Sequence, residues 1–135
     1  MARTAKPASL ASLFAALADL TRLRLLNLMA GREVCVCYFV EILRQGQPKI
    51  SRHLAYLRRT GLVIARREGK WMHYRIAPPA DAAAASILAA TLNSLSSDLQ
   101  MQADLAKLYR ACCAPQKLVV PEGAPRPAVL APLAR

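Results

Sequence analysis

Residues 48–76 read Pro48-Lys49-Ile50-Ser51-Arg52-His53-Leu54-Ala55-Tyr56-Leu57-Arg58-Arg59-Thr60-Gly61-Leu62-Val63-Ile64-Ala65-Arg66-Arg67-Glu68-Gly69-Lys70-Trp71-Met72-His73-Tyr74-Arg75-Ile76. A proline placed to open a helix, apolar Ile50, Leu54 and Leu57 at helical spacing, and Gly61 just past the end predict a short helix running to about Thr60. Lys49, Ser51, Arg52, Tyr56 and Arg59 interleave with the apolar positions and face largely outward. Residues 62–68 and 71–76 then predict two strands joined across Gly69-Lys70. A basic helix of this size fits the major groove of DNA, and a charged hairpin beside it can hold the phosphate backbone.

The charge supports that reading. The chain has 135 residues and a formal net charge of +11, with a pI near 10.3, which implies a polyanionic partner, most commonly nucleic acid. Between Arg44 and Arg75 lie Arg44, Lys49, Arg52, Arg58, Arg59, Arg66, Arg67, Lys70 and Arg75, against Glu68 alone. A merely solvated basic face is the alternative, and the clustering argues against it. The length suits one domain and falls short of most enzymes. With no paired carboxylates, Ser-His-Asp set or glycine-rich phosphate loop, the sequence points away from an enzyme and from an organic cofactor.

Working outward, residues 1–8 are expected to be a flexible lead-in and 9–112 a single folded domain. Residues 113–135, rich in proline, are expected to be a disordered tail. Leu10, Leu13, Phe14 and Leu17 predict a first helix. Asp19 can cap a second, carrying Leu23, Leu26 and Met29 and ended by Gly31. Residues 34–43 predict a third, with Cys35 and Cys37 in its first turn. After Pro78-Pro79, one long helix is expected over about 81–112. Its stripes Leu88, Leu92, Leu95, Leu99 and Met101, Leu105, Leu108 exceed what so small a core consumes, so a homodimer is expected. The apolar run 82–92 is too short to span a membrane. Four cysteines without a signal peptide suggest a cytoplasmic protein with thiols rather than disulfides.

Cys35-Val36-Cys37 carries the chemistry. Thiolates bind soft metals and metalloids, although cysteine is also a good core residue. In an ideal helix, residues two apart point about 200° apart, so the two thiols cannot share one core face or one ion. For a tetrahedral ion with sulfur at about 2.3 Å, the sulfurs must come within roughly 3.8 Å. Chelation therefore requires the start of the third helix to be unwound already or to become so.

The order of elements is that of a mainly α, winged helix-turn-helix protein with a small β-hairpin. The motifs Ala16-Leu17-Ala18-Asp19-Leu20-Thr21-Arg22-Leu23-Arg24-Leu25-Leu26, Glu33-Val34-Cys35-Val36-Cys37, Ser51-Arg52-His53-Leu54 and Arg66-Arg67-Glu68-Gly69-Lys70 resemble the ArsR/SmtB family of metalloregulatory repressors, over residues 10–110. The Glu-Val-Cys-Val-Cys segment is most similar to the arsenic-responsive branch. The resemblance implies a dimer with a C-terminal dimerisation helix that binds operator DNA and leaves it when As(III) or Sb(III) occupies cysteine thiolates.

It further implies DNA contacts from Lys49, Ser51, Arg52, His53, Tyr56 and Arg59 on the helix, and from Arg66, Arg67 and Lys70 on the wing. Arg52 can meet a guanine edge or a phosphate. Ser51 and Tyr56 suit phosphate, and His53 can pack, touch phosphate or read a base. Metal ligands would be Cys35 and Cys37. The third family cysteine is replaced by Val40, leaving Cys112 and Cys113 to complete the site, from the partner subunit if the helices cross. Those two could instead form a separate vicinal-thiol site or a redox pair, and a two-thiol site can also take an exogenous ligand. The family's zinc site needs histidine on the C-terminal helices, and none lies between residues 80 and 115. A thiol redox switch, a repressor on the same scaffold that responds to another soft metal such as cadmium or lead, and a structural interaction module are the rival readings.

Overall fold

The computed structural model describes residues 7–113 and 124–130. Helices α1 (Pro7–Leu17) and α2 (Leu20–Met29) lead into strand β1 (Arg32–Cys35), followed by α3 (Val36–Leu43) and α4 (Gln47–Arg59). The hairpin β2 (Val63–Glu68) and β3 (Trp71–Ile76) comes next, then α5 (Ala82–Leu95), α6 (Leu99–Cys113) and the short β4 (Ala128–Val129). The strands form one antiparallel sheet in the order β2-β3-β1-β4. This is a winged helix-turn-helix.

Local signals account for most of these elements. Asp19 caps α2 by accepting the Arg22 N–H at 3.0 Å, which satisfies one of the unpaired donors of the first turn. Helix α4 opens with Pro48 in its first turn, and the chain leaves it through Gly61 at φ +80°, a conformation costly for any residue with a Cβ. Ile50, Leu54 and Leu57 of α4 are fully buried with Leu25 and Leu26 of α2 and Phe39 and Ile42 of α3, so the reading helix is set on a rigid base.

Three expectations are corrected. The helix expected over 34–43 begins only at Val36, because Val34 and Cys35 are extended and pair with Tyr74 and His73 of β3. Here β-branched Val34 fits a pleated, half-covered surface better than a helix start. The single long helix is two, broken at residues 96–98. Ser96 and Ser97 hydroxyls donate back to the carbonyls of Asn93 and Ser94, and Asp98 accepts the Met101 N–H at 3.1 Å to cap α6. Serine and aspartate make these local bonds at helix ends rather than inside helices.

The break changes how the leucine stripes are used. Met101 and Leu108 are buried in the chain's own core, whereas Leu99 is 81% exposed. The third correction concerns the tail. Ala128–Val129 form the edge strand β4, with Arg32 opposite Val129, Glu33 opposite Ala128, and the Leu130 N–H donating to the Gly31 carbonyl at 2.9 Å. Residues 114–123 and 131–135 of the expected tail, and most of the lead-in, lie outside the described residues.

Candidate thiol site and nucleic-acid interface

The two cysteines meet where β1 becomes α3. Cys35 is the last strand residue and stands at the helix N-cap with φ −71° and ψ 143°, while Cys37 lies in the first turn. The Cys37 thiol donates to the Cys35 sulfur with the sulfurs 3.2 Å apart. The strand-to-helix junction therefore supplies the unwound start that chelation needs. That hydrogen bond lowers the Cys35 pKa to about 6, helped by backbone N–H groups and the nearby His73 charge and opposed by burial. The same contact, with burial, raises Cys37. The first proton of the pair therefore leaves more readily than the second.

Cys35 is 1% exposed, and His73, directly opposite it on β3, is 4% exposed. Arg66 of β2 is in turn opposite His73, so Cys35, His73 and Arg66 form a single row across three strands. His73 Nε2 lies 3.1 Å from Glu68 Oε1. Buried Glu33, on the Cys35 face of β1, receives the Arg66 guanidinium in a fork: Nη2 at 2.7 Å and Nε at 3.2 Å to Oε1. Arg75 stands 3.9 Å from the other Glu33 oxygen. The Arg66 guanidinium beside it holds the Glu33 carboxyl below the usual carboxylate range.

Lys49, Ser51, Arg52 and Arg59 of α4 are exposed, as are Arg67 and Lys70 of the wing. With Arg22, His53 and Tyr56, three of these helix residues line a basic concavity of about 380 Å³. His53 is turned inward: its Nδ1 is 3.3 Å from the Arg22 guanidinium and 3.8 Å from Asp19. Burial, reinforced by the Arg22, Lys49 and Arg52 charges, keeps its pKa below the ordinary imidazole value despite Asp19. Tyr56 is half-buried, with Arg22 stacked 4.2 Å and Arg59 5.5 Å from the ring centre. His53 thus packs against Arg22 and Asp19 while lining the basic concavity. The Tyr56 ring is a platform for two guanidinium groups.

Arg22 was not singled out from the sequence, yet it ties three helices together. It donates to the carbonyls of Ala16 and Ala15 at the end of α1 at 2.8 and 3.0 Å while covering Tyr56 on α4. Orphan carbonyls at a helix end attract cations, but nothing in the sequence tells that α1 ends against α4. On the wing, Arg66 is occupied by Glu33, and Lys70 lies 5.0 Å from the Trp71 ring.

The structure brings Cys35 and Cys37 together but not with Cys112. Cys112 lines a separate apolar cavity with Arg32, Leu105, Leu108, Tyr109 and Val129, and is disulfide-bonded where a thiol was expected. A bonded sulfur has no thiolate to offer an ion until it is reduced. The Cys113 side chain lies outside the described residues. Among the described residues no group of three or more His, Cys, Asp or Glu could hold a metal ion, and no helix is long and apolar enough to cross a membrane.

Residues 19–65 match the model of the bacterial regulatory proteins of the arsR family. The arsenical resistance operon repressor of Escherichia coli (strain K12) is 52% identical over 77 residues, covering 56% of this chain and 66% of the repressor. The arsenic resistance transcriptional regulator ArsR2 of Pseudomonas putida is 43% identical over 84 residues, covering 62% of this chain and 73% of the relative. Among solved structures, the homodimeric winged helix-turn-helix DNA-binding domain of a possible ArsR-family transcriptional regulator from Mycobacterium bovis superposes with a TM-score of 0.55. It is 31% identical, covering 66% of this chain and 80% of that one.

Proposed function

The chain belongs to the arsR family of bacterial regulatory proteins, and on that premise we propose that it is a homodimeric repressor which binds operator DNA through α4 and the β2–β3 wing and releases it when trivalent arsenic or antimony is captured by Cys35 and Cys37. The observation that carries this reading is the 3.2 Å separation of the two sulfurs. Thiolates select soft ions. A tetrahedral ion spreads its sulfurs to roughly 3.8 Å, and a linear two-thiolate ion spreads them further still. A pyramidal trivalent centre keeps them closer, which is where this pair already stands. With Cys112 disulfide-bonded, the third position on the metalloid falls to a solvent-derived or small-thiol ligand.

A mobility-shift titration of a duplex selected by the protein from a random-sequence pool tests the reading. Arsenite at micromolar concentration should release the duplex, and a protein that stays bound would refute it. The same close thiol pair favours a second reading, oxidation to a disulfide. In that case peroxide, with no metalloid present, would release the duplex.

The homodimer is supported by apolar surface that one subunit leaves uncovered, including Phe14, Leu20 and Leu99. The DNA reading carries two further expectations. Arg52→Ala should weaken binding and, if Arg52 meets phosphate, lower the slope of log affinity against log salt by about one, as measured by fluorescence anisotropy between low and moderate salt. Tyr56→Phe should leave affinity within about twofold, because the ring rather than the hydroxyl holds Arg22 and Arg59. Tyr56→Ala should cost several-fold, in line with about 0.5–1 kcal/mol for each exposed cation–π contact.

A further inference from the structure

We infer that the thiol site acts on DNA through the wing, with the Glu33–Arg66 ion pair as the strap that carries the displacement from β1 to β2. The inference rests on the proposed capture of a metalloid by Cys35 and Cys37. Its starting point is a mechanism the structure removes. Because Cys35 is already extended and the sulfurs already meet, binding need not unwind α3, and that large movement is not available to disturb α4.

What binding adds is a heavy atom and its third ligand at a packed position. Cys35 and His73 face each other there with almost no exposure. Close-packed interiors pass such strain on rather than absorb it. The end of β1 must then shift against β3, and two side-chain contacts connect this patch to the strand that carries the outer wing. His73 reaches Glu68 of β2 at 3.1 Å. Glu33, two residues before Cys35 and on the same face, grips Arg66 of β2 with a forked pair whose shorter bond is 2.7 Å. The Glu33 side chain is 9% exposed and that of Arg66 49%, and the fork between them fixes orientation as well as distance. Beyond Arg66 lie Arg67, Gly69 and Lys70, the exposed tip of the hairpin.

The test compares the full-length protein with Glu33→Gln, which keeps the shape of the side chain but removes its charge. Sodium arsenite is the probe, its capture followed by thiolate–arsenic absorption and its effect by the ratio of duplex affinities without and with arsenite. Wild-type protein should lose affinity by a factor in the usual allosteric range, about 5–150-fold. Glu33→Gln should capture arsenite equally well and still bind the duplex, but lose only about a third or less of that factor on a logarithmic scale. Glu33→Asp, with charge kept and reach shortened, should fall between.

Hydrogen exchange on the wild-type protein checks the route independently of any variant: arsenite should alter amide exchange in residues 63–76 more than in residues 47–59. If Glu33→Gln releases DNA by the wild-type factor, or the larger exchange change lies in α4, the inference is overturned and the signal runs from α3 into α4. If arsenite fails to release the wild-type protein at all, the proposed function falls, and the coupling with it.

Discussion

Replacing both Cys35 and Cys37 with serine should leave a protein that binds its duplex within about twofold of wild type and no longer lets go when arsenite is added. The prediction rests on how little else the substitution disturbs. Serine is close to cysteine in size, and the Cys37-to-Cys35 hydrogen bond at 3.2 Å can be remade between two hydroxyls. The cost of burying a hydroxyl at position 35 is about 1–3 kcal/mol if it were left unpaired, and the remaining partner at 37 offsets much of it. Neither cysteine lies on α4 or the wing, so the DNA-facing surface is intact.

What disappears is the soft ligand set. A hydroxyl is a hard and essentially un-ionised donor near neutral pH, whereas the Cys35 thiol is held at about 6. Each single serine variant should also lose the response, because one thiolate cannot chelate. A mobility-shift titration reads all three variants side by side. Release of the double variant at the wild-type arsenite concentration would sink the assignment of the inducer site.

The features legible in the sequence are those written in a few adjacent residues. Asp19 before α2, Pro48 and Gly61 around α4, and Gly69 between the wing strands each state their conformation locally. Strand β1 could not be read this way. Its four residues gain their hydrogen bonds from β3, some forty positions later in the chain, and from β4, nearly a hundred later, so no local pattern reports it. The residues around the cysteines leave their geometry open for the same reason. At 34–37, helical periodicity and strand alternation both place an apolar residue inside, and pairing with Tyr74 and His73 decides between them. The Ser96-Ser97-Asp98 break was readable in principle as hydroxyls followed by a cap, but the leucine spacing runs through it and suggests one helix. The partner of Arg66 is a different kind of omission. A basic hairpin suggests phosphate, and only the fold brings Glu33 across to claim one of its arginines. Arg22 likewise has its role set by where the end of α1 comes to lie.

Asp104→Ala should be the most damaging single change to stability, at about 3–5 kcal/mol. Asp104 is fully buried and accepts the Arg24 guanidinium in a fork, Nε at 2.8 Å and Nη2 at 3.0 Å, while Gln100 donates to it at 3.0 Å. Its carboxylate also raises the Arg24 pKa. This pair pins α6 to α2, beside a second link in which the Asn27 amide donates to the Met101 carbonyl at 3.1 Å. Removing the carboxylate leaves Arg24, whose side chain is only 15% exposed, with neither counter-charge nor carboxylate acceptor, and that uncompensated charge dominates the loss. Against a domain stability of about 5–15 kcal/mol, such a loss should lower the melting temperature by roughly 10 °C or more in a circular-dichroism melt. Replacing both members by apolar residues of similar volume, Arg24→Met with Asp104→Leu, should recover much of the loss, because no buried charge then remains. A single variant that melts within about 2 °C of wild type would show instead that water reaches Arg24 and that the pair is not what holds α6 in place.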